Sequence, residues 1–126
     1  MVLVDTSVWI RALAGRAPYA PDLSRLLERD EVTGHELVYG ELLIGDLGGR
    51  KRLLDDYERM QQSRLVPHHD VVAFVRARDL NGRGVGWIDV QLLASAMADR
   101  LMLWTADQHC ARLAENLGVA YSLATH

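Results

Sequence analysis

The sequence predicts an α/β fold with a mainly parallel sheet, and three features lead to this prediction. Short apolar runs alternate along the chain with longer segments of helical periodicity, which is the pattern of βαβ units. The first run, Val2–Val4, is rich in β-branched side chains and shows no polar alternation, as expected for a strand covered on both faces. A second run of this kind, Leu101–Trp104, lies late in the chain.

The first half of the chain combines these strands with helices. Apolar residues at helical spacing predict helices after Asp5, near Pro21, from His35 to Leu47 and from Arg50 to about Gln62. The short β-branched stretch from Glu31 to Gly34 predicts a second strand.

The second half repeats the pattern. Leu65–Pro67 is a minimal strand or turn, and three further helices are predicted, at 70–80, 87–99 and 106–117. Three glycines in five residues separate the first two of these helices. Gly118 ends the last helix, and Val119–Tyr121 follows as an edge strand. We find no repeat or linker, so residues 1–126 are expected to form one domain.

Bulk composition limits the function classes. The chain has 126 residues, 49% of them hydrophobic, which is enough for one domain with a real core. No apolar run approaches the roughly 18 residues of a membrane span, and no basic stretch precedes the first apolar run as in a signal peptide. Cys110 is the single cysteine, which excludes an intrachain disulfide and a thiolate metal cluster. A cytoplasmic location is expected.

The charge neither supports nor excludes a nucleic-acid partner. The formal net charge is −3, but 13 of the 14 basic residues are arginine, which suits phosphate contacts. Setting four carboxylates aside as metal ligands leaves the remainder at +1.

Four acidic residues occupy positions that a parallel sheet would bring to one edge. Asp5 ends the first strand, Asp89 lies in the first turn of a helix, and Asp107 follows Trp104 by three residues. Glu41 lies inside the third helix among largely apolar neighbours, with no lysine or arginine within a helical turn. Because the carboxyl ends of parallel strands meet at one edge, these side chains are expected to converge.

Each acid also has a structural explanation. Asp5, Asp89 and Asp107 stand where helix-start acids are favoured, and Thr105 with Gln108 has the spacing of a capping box. Taken together, however, four converging carboxylates repel one another unless a cation joins them. Oxygen ligands without cysteine predict Mg²⁺ or Mn²⁺, as one or two ions, rather than zinc.

These motifs resemble the PIN-domain ribonucleases, and within them the VapC toxins of bacterial toxin–antitoxin pairs. The resemblance covers essentially the whole chain and rests on Val4–Trp9, Glu41–Gly45, Trp87–Asp89 followed by Ala94–Ala96, and Thr105–Asp107. It implies a three-layer PIN-like fold, with roughly five mainly parallel strands and helices on both faces. It also implies a metal-dependent endoribonuclease, a VapB-type antitoxin whose C-terminal segment blocks the site, and a homodimer.

The hypothesis that follows is hydrolysis of RNA by metal-activated water. The expected catalytic residues and metal ligands are Asp5, Glu41, Asp89 and Asp107. Of these, Glu41 could also accept the proton of the attacking water, and Asp107 suits contact with the metal through a water molecule. The hydroxyls that would orient carboxylates or waters belong to Thr6, Ser7 and Thr105. Local helix capping is the alternative role for these hydroxyls.

Other readings remain open at this stage. A phosphoacceptor receiver module and a catalytically inactive PIN-domain scaffold that binds RNA are the alternative functions, although Thr6 stands where receivers carry a second acid. Transfer RNA or ribosomal RNA is the possible substrate. Trp87 either stacks on an unpaired base or packs against the sheet, whereas Trp9 and Trp104 are expected in the core.

Overall fold

A computed structural model describes residues 1–122 of the chain. Within these residues the fold has three strands and seven helices, and the helices fall in the seven segments predicted to be helical. Their bounds are β1 (Val2–Val4), α1 (Thr6–Leu13), α2 (Tyr19–Glu28), β2 (Val32–Thr33), α3 (Glu36–Ile44), α4 (Lys51–Glu58), α5 (His68–Arg78), α6 (Trp87–Asp99), β3 (Met102–Trp104) and α7 (Gln108–Asn116).

The sheet is parallel and has the order β2-β1-β3. Val2 pairs with Val32 on one side and with Met102 on the other, so β1 is the central strand. All three residues of β1 are buried. Because successive side chains of a strand point to opposite faces, both faces of the sheet are covered, as the apolar run predicts.

The sheet of residues 1–122 has fewer regular strands than the roughly five expected. Beyond β2 and β3, a single parallel bridge forms on each edge, Gly34 with Gln62 and Leu103 with Ala120. Residues 65–67, predicted as a minimal strand or turn, form no strand, since Pro67 has no amide proton to donate and the neighbouring Arg64 amide donates to the Asp99 carboxylate (2.9 Å). The bridge at Ala120 lies in the predicted edge strand 119–121, whereas the bridge at Gln62 lies where the end of a helix was predicted.

The three tryptophans differ in burial. Trp9 and Trp104 are 3% and 4% exposed and belong to the main core, as expected. Trp87, the first residue of α6, is 44% exposed, which does not fit the expectation that it packs against the sheet. No helix within residues 1–122 is long and apolar enough to cross a membrane.

Candidate metal centre

The sheet places three helix starts and their polar residues at its carboxyl edge. Asp5 lies between β1 and α1, and its amide continues the ladder by donating to the Trp104 carbonyl (2.8 Å). Asp107 caps α7 just after β3. Asp89 lies in the first turn of α6, and Glu41 lies in α3, the helix that follows β2.

The Asp5 carboxylate is held by two hydroxyls. Asp5 is 5% exposed and starts α1, yet its side chain does not cap that helix. Instead, Ser7 Oγ donates to Asp5 Oδ2 at 2.6 Å, and Thr105 Oγ1 donates to the same oxygen at 2.9 Å. Oδ1 accepts no hydrogen bond from residues 1–122 and is left to face another ligand.

The same two hydroxyls fix the loop between β3 and α7. Ser7 Oγ accepts from the Ala106 amide (3.0 Å), and Thr105 Oγ1 accepts from the Asp107 amide (3.1 Å). Each hydroxyl has one proton, and both protons are already directed at Asp5. The 3.5 Å contact between the two hydroxyls is therefore a contact of acceptors. Ser7 and Thr105 thus orient Asp5 and hold Asp107 beside it.

Glu41 is positioned by the residue next to Asp5. Thr6 Oγ1 donates to Glu41 Oε1 at 2.6 Å, which joins α1 to α3 across a sequence separation of 35 residues. Thr6 is 7% exposed, so this bond lies in a partly desolvated setting. Glu41 therefore faces the Asp5 junction, as its apolar neighbours in the sequence indicate.

Asp107 and Asp89 also make the helix-start contacts that their positions predict. Asp107 Oδ1 accepts from the Cys110 amide at 2.8 Å, a regular N-cap bond. Asp89 Oδ2 accepts from the Gly86 amide at 3.4 Å, which is long for a hydrogen bond. The predicted capping box of Thr105 with Gln108 is not formed, since Asp107 is the N-cap of α7.

The four carboxylates influence one another electrostatically. The pKa of Asp89 is raised to about 6, first by burial and then by the negative charge of Asp5. Asp107 and Glu41 raise the pKa of Asp89 further, whereas the Gly86 amide lowers it. We call Asp5, Glu41, Asp89 and Asp107 the acidic centre.

A divalent cation fits the chemistry of the acidic centre. Its carboxylates form no ion pair with a lysine or arginine of residues 1–122. Carboxylate oxygens are the ligands that Mg²⁺ and Mn²⁺ prefer. Within the described part of the chain, no three acidic, histidine or cysteine groups are already close enough to hold a metal ion. Binding would therefore require the carboxylates to approach one another.

Comparison with known proteins identifies the family. The PIN domain family matches residues 2–116. Ribonuclease VapC32 from Mycobacterium tuberculosis, in strains CDC 1551 / Oshkosh and ATCC 25618 / H37Rv, is 41% identical over 121 residues, which are 95% of each chain. The chain belongs to the VapC family of PIN domains. The resemblance drawn from the sequence motifs is confirmed, and the receiver alternative is wrong because the PIN family accounts for nearly the whole chain.

Cys110 lies beside the acidic centre of this PIN domain, a placement that was not foreseen. Its side chain is 1% exposed, and its pKa is raised to about 12, first by burial and then by Asp89, Asp5 and Asp107. In the metal-free protein the thiol therefore stays protonated at neutral pH. The sequence signal was its position three residues after Asp107, on the apolar face of α7.

The sequence analysis also missed a buried polar network in this PIN domain. His35 is fully buried; its Nδ1 accepts from the Leu37 amide (3.1 Å), and its Nε2 lies 2.9 Å from Ser95 Oγ. Ser95 Oγ donates to the Arg64 carbonyl at 2.8 Å. The His35 amide donates to the Tyr57 hydroxyl at 2.8 Å. We call these residues, with Asp99 bound to Arg64, the His35 network.

Proposed function

We propose that this VapC-family chain is a metal-dependent endoribonuclease, the toxin of a toxin–antitoxin pair, which hydrolyses RNA phosphodiester bonds. The observation that carries the proposal is the acidic centre, in which hydroxyl groups hold the carboxylates of Asp5 and Glu41 in place and no lysine or arginine of residues 1–122 forms an ion pair with any of the four acids. The 41% identity to a protein named a ribonuclease supports RNA as the substrate.

The acidic centre is proposed to bind one or two ions of Mg²⁺ or Mn²⁺. Asp5, Glu41 and Asp89 would hold the metal, with Asp107 in direct or water-mediated contact because one of its oxygens already caps α7. When bound, such an ion lowers the pKa of a coordinated water and neutralises charge on the scissile phosphate.

The surrounding side chains would prepare these carboxylates. Ser7 and Thr105 bond only to Oδ2 of Asp5 and so direct Oδ1 towards the ligand. Thr6 occupies Oε1 of Glu41, which leaves Oε2 to accept a proton from the attacking water. A bonded, nearly buried carboxylate loses little side-chain freedom when it takes up a ligand, which favours binding.

The remaining expectations belong to the same proposal. The toxin would work in the cytoplasm as one domain of residues 1–126, as a homodimer and with a VapB-type antitoxin, cutting transfer or ribosomal RNA. At and just after the end of α3, Leu43, Ile44 and Leu47 are 51%, 88% and 103% exposed, and exposed apolar groups of this kind favour a protein partner. The single bridges at Gln62 and Ala120 support a five-stranded sheet with helices on both faces.

The decisive experiment is digestion of total RNA by the purified protein, with Mg²⁺ or Mn²⁺ and with chelator. We expect cleavage only with metal, and products with 5′-phosphate and 3′-hydroxyl ends, as water attack requires. Asp5→Asn keeps the shape of the side chain but removes its charge, and we expect its cleavage to fall at least a hundredfold, because loss of a supporting residue alone costs 10- to 100-fold.

Asp30→Asn is the matched control. Asp30 is exposed at the opposite, amino end of β2, and its left-handed φ of 56° suits asparagine. It removes the same charge and should cut RNA like the wild type. Cyclic phosphate ends, cleavage in chelator or full activity of Asp5→Asn would contradict the proposal. An inert but folded wild type would favour a catalytically inactive RNA-binding scaffold.

A further inference from the structure

Trp87 is the one tryptophan of the chain that the fold leaves exposed. Its side chain is 44% accessible, compared with 3% and 4% for Trp9 and Trp104. An indole contributes a large apolar area when it is buried, so an exposed indole forgoes a substantial gain in stability. The exposed part of the indole is therefore available to a ligand.

The position of Trp87 relates it to the acidic centre. It is the first residue of α6, and Asp89 lies in the same helical turn. A Cβ built at the preceding residue, Gly86, would meet no atom within 4 Å, so other residues do not crowd the backbone just before the indole.

His68, at the start of α5, supports the indole from one side. The two ring centroids are 5.3 Å apart and the ring planes are inclined by 45°. A base inserted between the rings would need about 7 Å, or two van der Waals contacts of about 3.5 Å. The space between the rings is too narrow for a base, so a base would have to contact the part of the indole that is exposed.

We propose that Trp87, backed by His68, is a stacking platform for an unpaired nucleobase of the RNA strand held at the acidic centre. This inference rests on the proposed function and adds a substrate class to it, single-stranded or looped RNA with a base turned out next to the scissile phosphate. A duplex keeps its bases stacked on one another and offers the indole no free face.

The local charge of the acidic centre favours a base rather than phosphates as the group recognised beside it. In the absence of metal, the four carboxylates repel the RNA backbone, so phosphates add little affinity at this place. Stacking on an indole does not depend on this charge, and every base has a face to stack. Trp87 would therefore supply affinity that the acidic centre lacks.

The test reads the fluorescence of Trp87, which is exposed while the other two tryptophans are buried. The full chain is titrated in EDTA, which prevents cleavage, with a short single-stranded oligouridine and with the same strand lacking its bases. Because Trp9 and Trp104 are buried, contact with a base changes the emission of Trp87 selectively. We expect oligouridine to quench the indole fluorescence and the abasic strand, which has the same phosphates, to leave it unchanged.

Three variants complete the test, and thermal melts verify that each is folded. Trp87→Leu should bind oligouridine about five- to a hundredfold more weakly in an anisotropy assay, the range of one stacked base. It should bind the abasic strand as the wild type does, and Trp87→Phe should recover most of the loss. Leu27→Ala is the matched control, because Leu27 is similarly exposed (41%) but lies on α2.

The outcomes separate this inference from the proposed function. Equal quenching by both strands, no quenching, or unchanged affinity in Trp87→Leu overturns the stacking platform, even when the wild type digests total RNA. If Trp87→Leu loses binding to a VapB-type protein but keeps its binding to oligouridine, the stacking platform is also overturned, and Trp87 is assigned to a protein interface. Failure of the wild type to digest any RNA removes the proposed function itself.

Discussion

The acidic centre and the His35 network are two polar clusters in one small protein, and they are built on opposite principles. In the His35 network, histidine, serine and backbone groups satisfy one another, and the exposed end is an ion pair of Arg64 with Asp99 (2.7 Å). In the acidic centre, negative charges approach one another with no positive partner among residues 1–122.

This difference indicates what each cluster contributes. A buried polar network that is fully satisfied specifies a unique packing and stabilises it, whereas like charges without a partner cost stability. The His35 network ties β2, the 61–64 segment and α6 together and so fixes the helix that carries Asp89. In the acidic centre, the hydrogen bonds to individual carboxylates are opposed by the repulsion among the four charges, which a bound cation would relieve. Substitutions in the two clusters should therefore have opposite effects.

The largest effect on stability is expected from His35→Ala. The change leaves a cavity and removes the acceptor for the Leu37 amide and the partner of Ser95, so we expect the free energy of unfolding to fall by about 3 kcal/mol. Denaturant unfolding measures this loss. His35→Asn, which keeps an acceptor at the N-cap of α3, should lose less. Equal, small losses in both variants would contradict the role assigned to the network.

Thr6→Val tests the link between the Asp5 junction and Glu41. The substitution preserves shape but removes the hydroxyl that donates to Glu41 Oε1, so we expect metal affinity and RNA cleavage to fall about 10- to 100-fold. Calorimetric titration with Mn²⁺ and a cleavage assay measure the two losses. Thr6→Ser keeps a donor and should restore most of both. A variant with wild-type metal affinity would show that Thr6 serves packing alone.

The fold was largely predictable because its signals are local. Apolar runs without polar alternation predicted β1 and β3, and glycines marked the break before α6 and the end of α7.

The single bridges at Gln62 and Ala120 could not be predicted from local sequence. Whether residues 61–67 extend as a strand depends on Asp99, which captures the Arg64 amide from more than thirty residues away.

The candidate site was likewise predictable from the sequence in part. The approach of Asp5 and Asp107 follows from parallel topology, because each directly follows a strand, whereas Asp89 lies at the start of a helix that no strand directly precedes. The bonds from Ser7 and Thr105 to a single oxygen of Asp5, and the burial of Cys110 beside the acids, depend on side-chain rotamers that no spacing encodes. The His35 network was missed because Ser95 lies sixty residues away in the sequence.

A pH titration of stability should show the contribution of His35. Burial lowers the pKa of this imidazole, although the charges of Glu36 and Asp99 partly oppose the shift. The unfolded chain then binds a proton below about pH 6.5, while the folded chain stays neutral until its own lower pKa is reached. We therefore expect the free energy of unfolding of the wild type to decrease as the pH falls through this window.

The comparison for this titration is His35→Asn, which has no imidazole at this site. The difference between the two proteins in chemical denaturation, measured from pH 7.5 downwards in steps, isolates the contribution of His35, because every other titrating group is shared. The stability of the wild type should approach that of the variant as the pH falls. A constant difference between the two proteins would mean that the folded state accommodates a charged His35.

Asp89→Asn should give the smallest effect and the one of opposite sign. In metal-free protein the substitution removes a half-buried charge that lies near three other carboxylates, and the asparagine oxygen can still accept from Gly86. We expect the free energy of unfolding to rise by about 1 kcal/mol after allowance for solvent screening.

Adding Mn²⁺ should make the wild type the more stable of the two proteins, because the wild type gains stability from a bound ion and the variant gains less. Melting temperatures with and without Mn²⁺ measure both effects. A variant less stable than the wild type in chelator would mean that Asp89 contributes more to α6 as a helix-start acid than it costs as a charge.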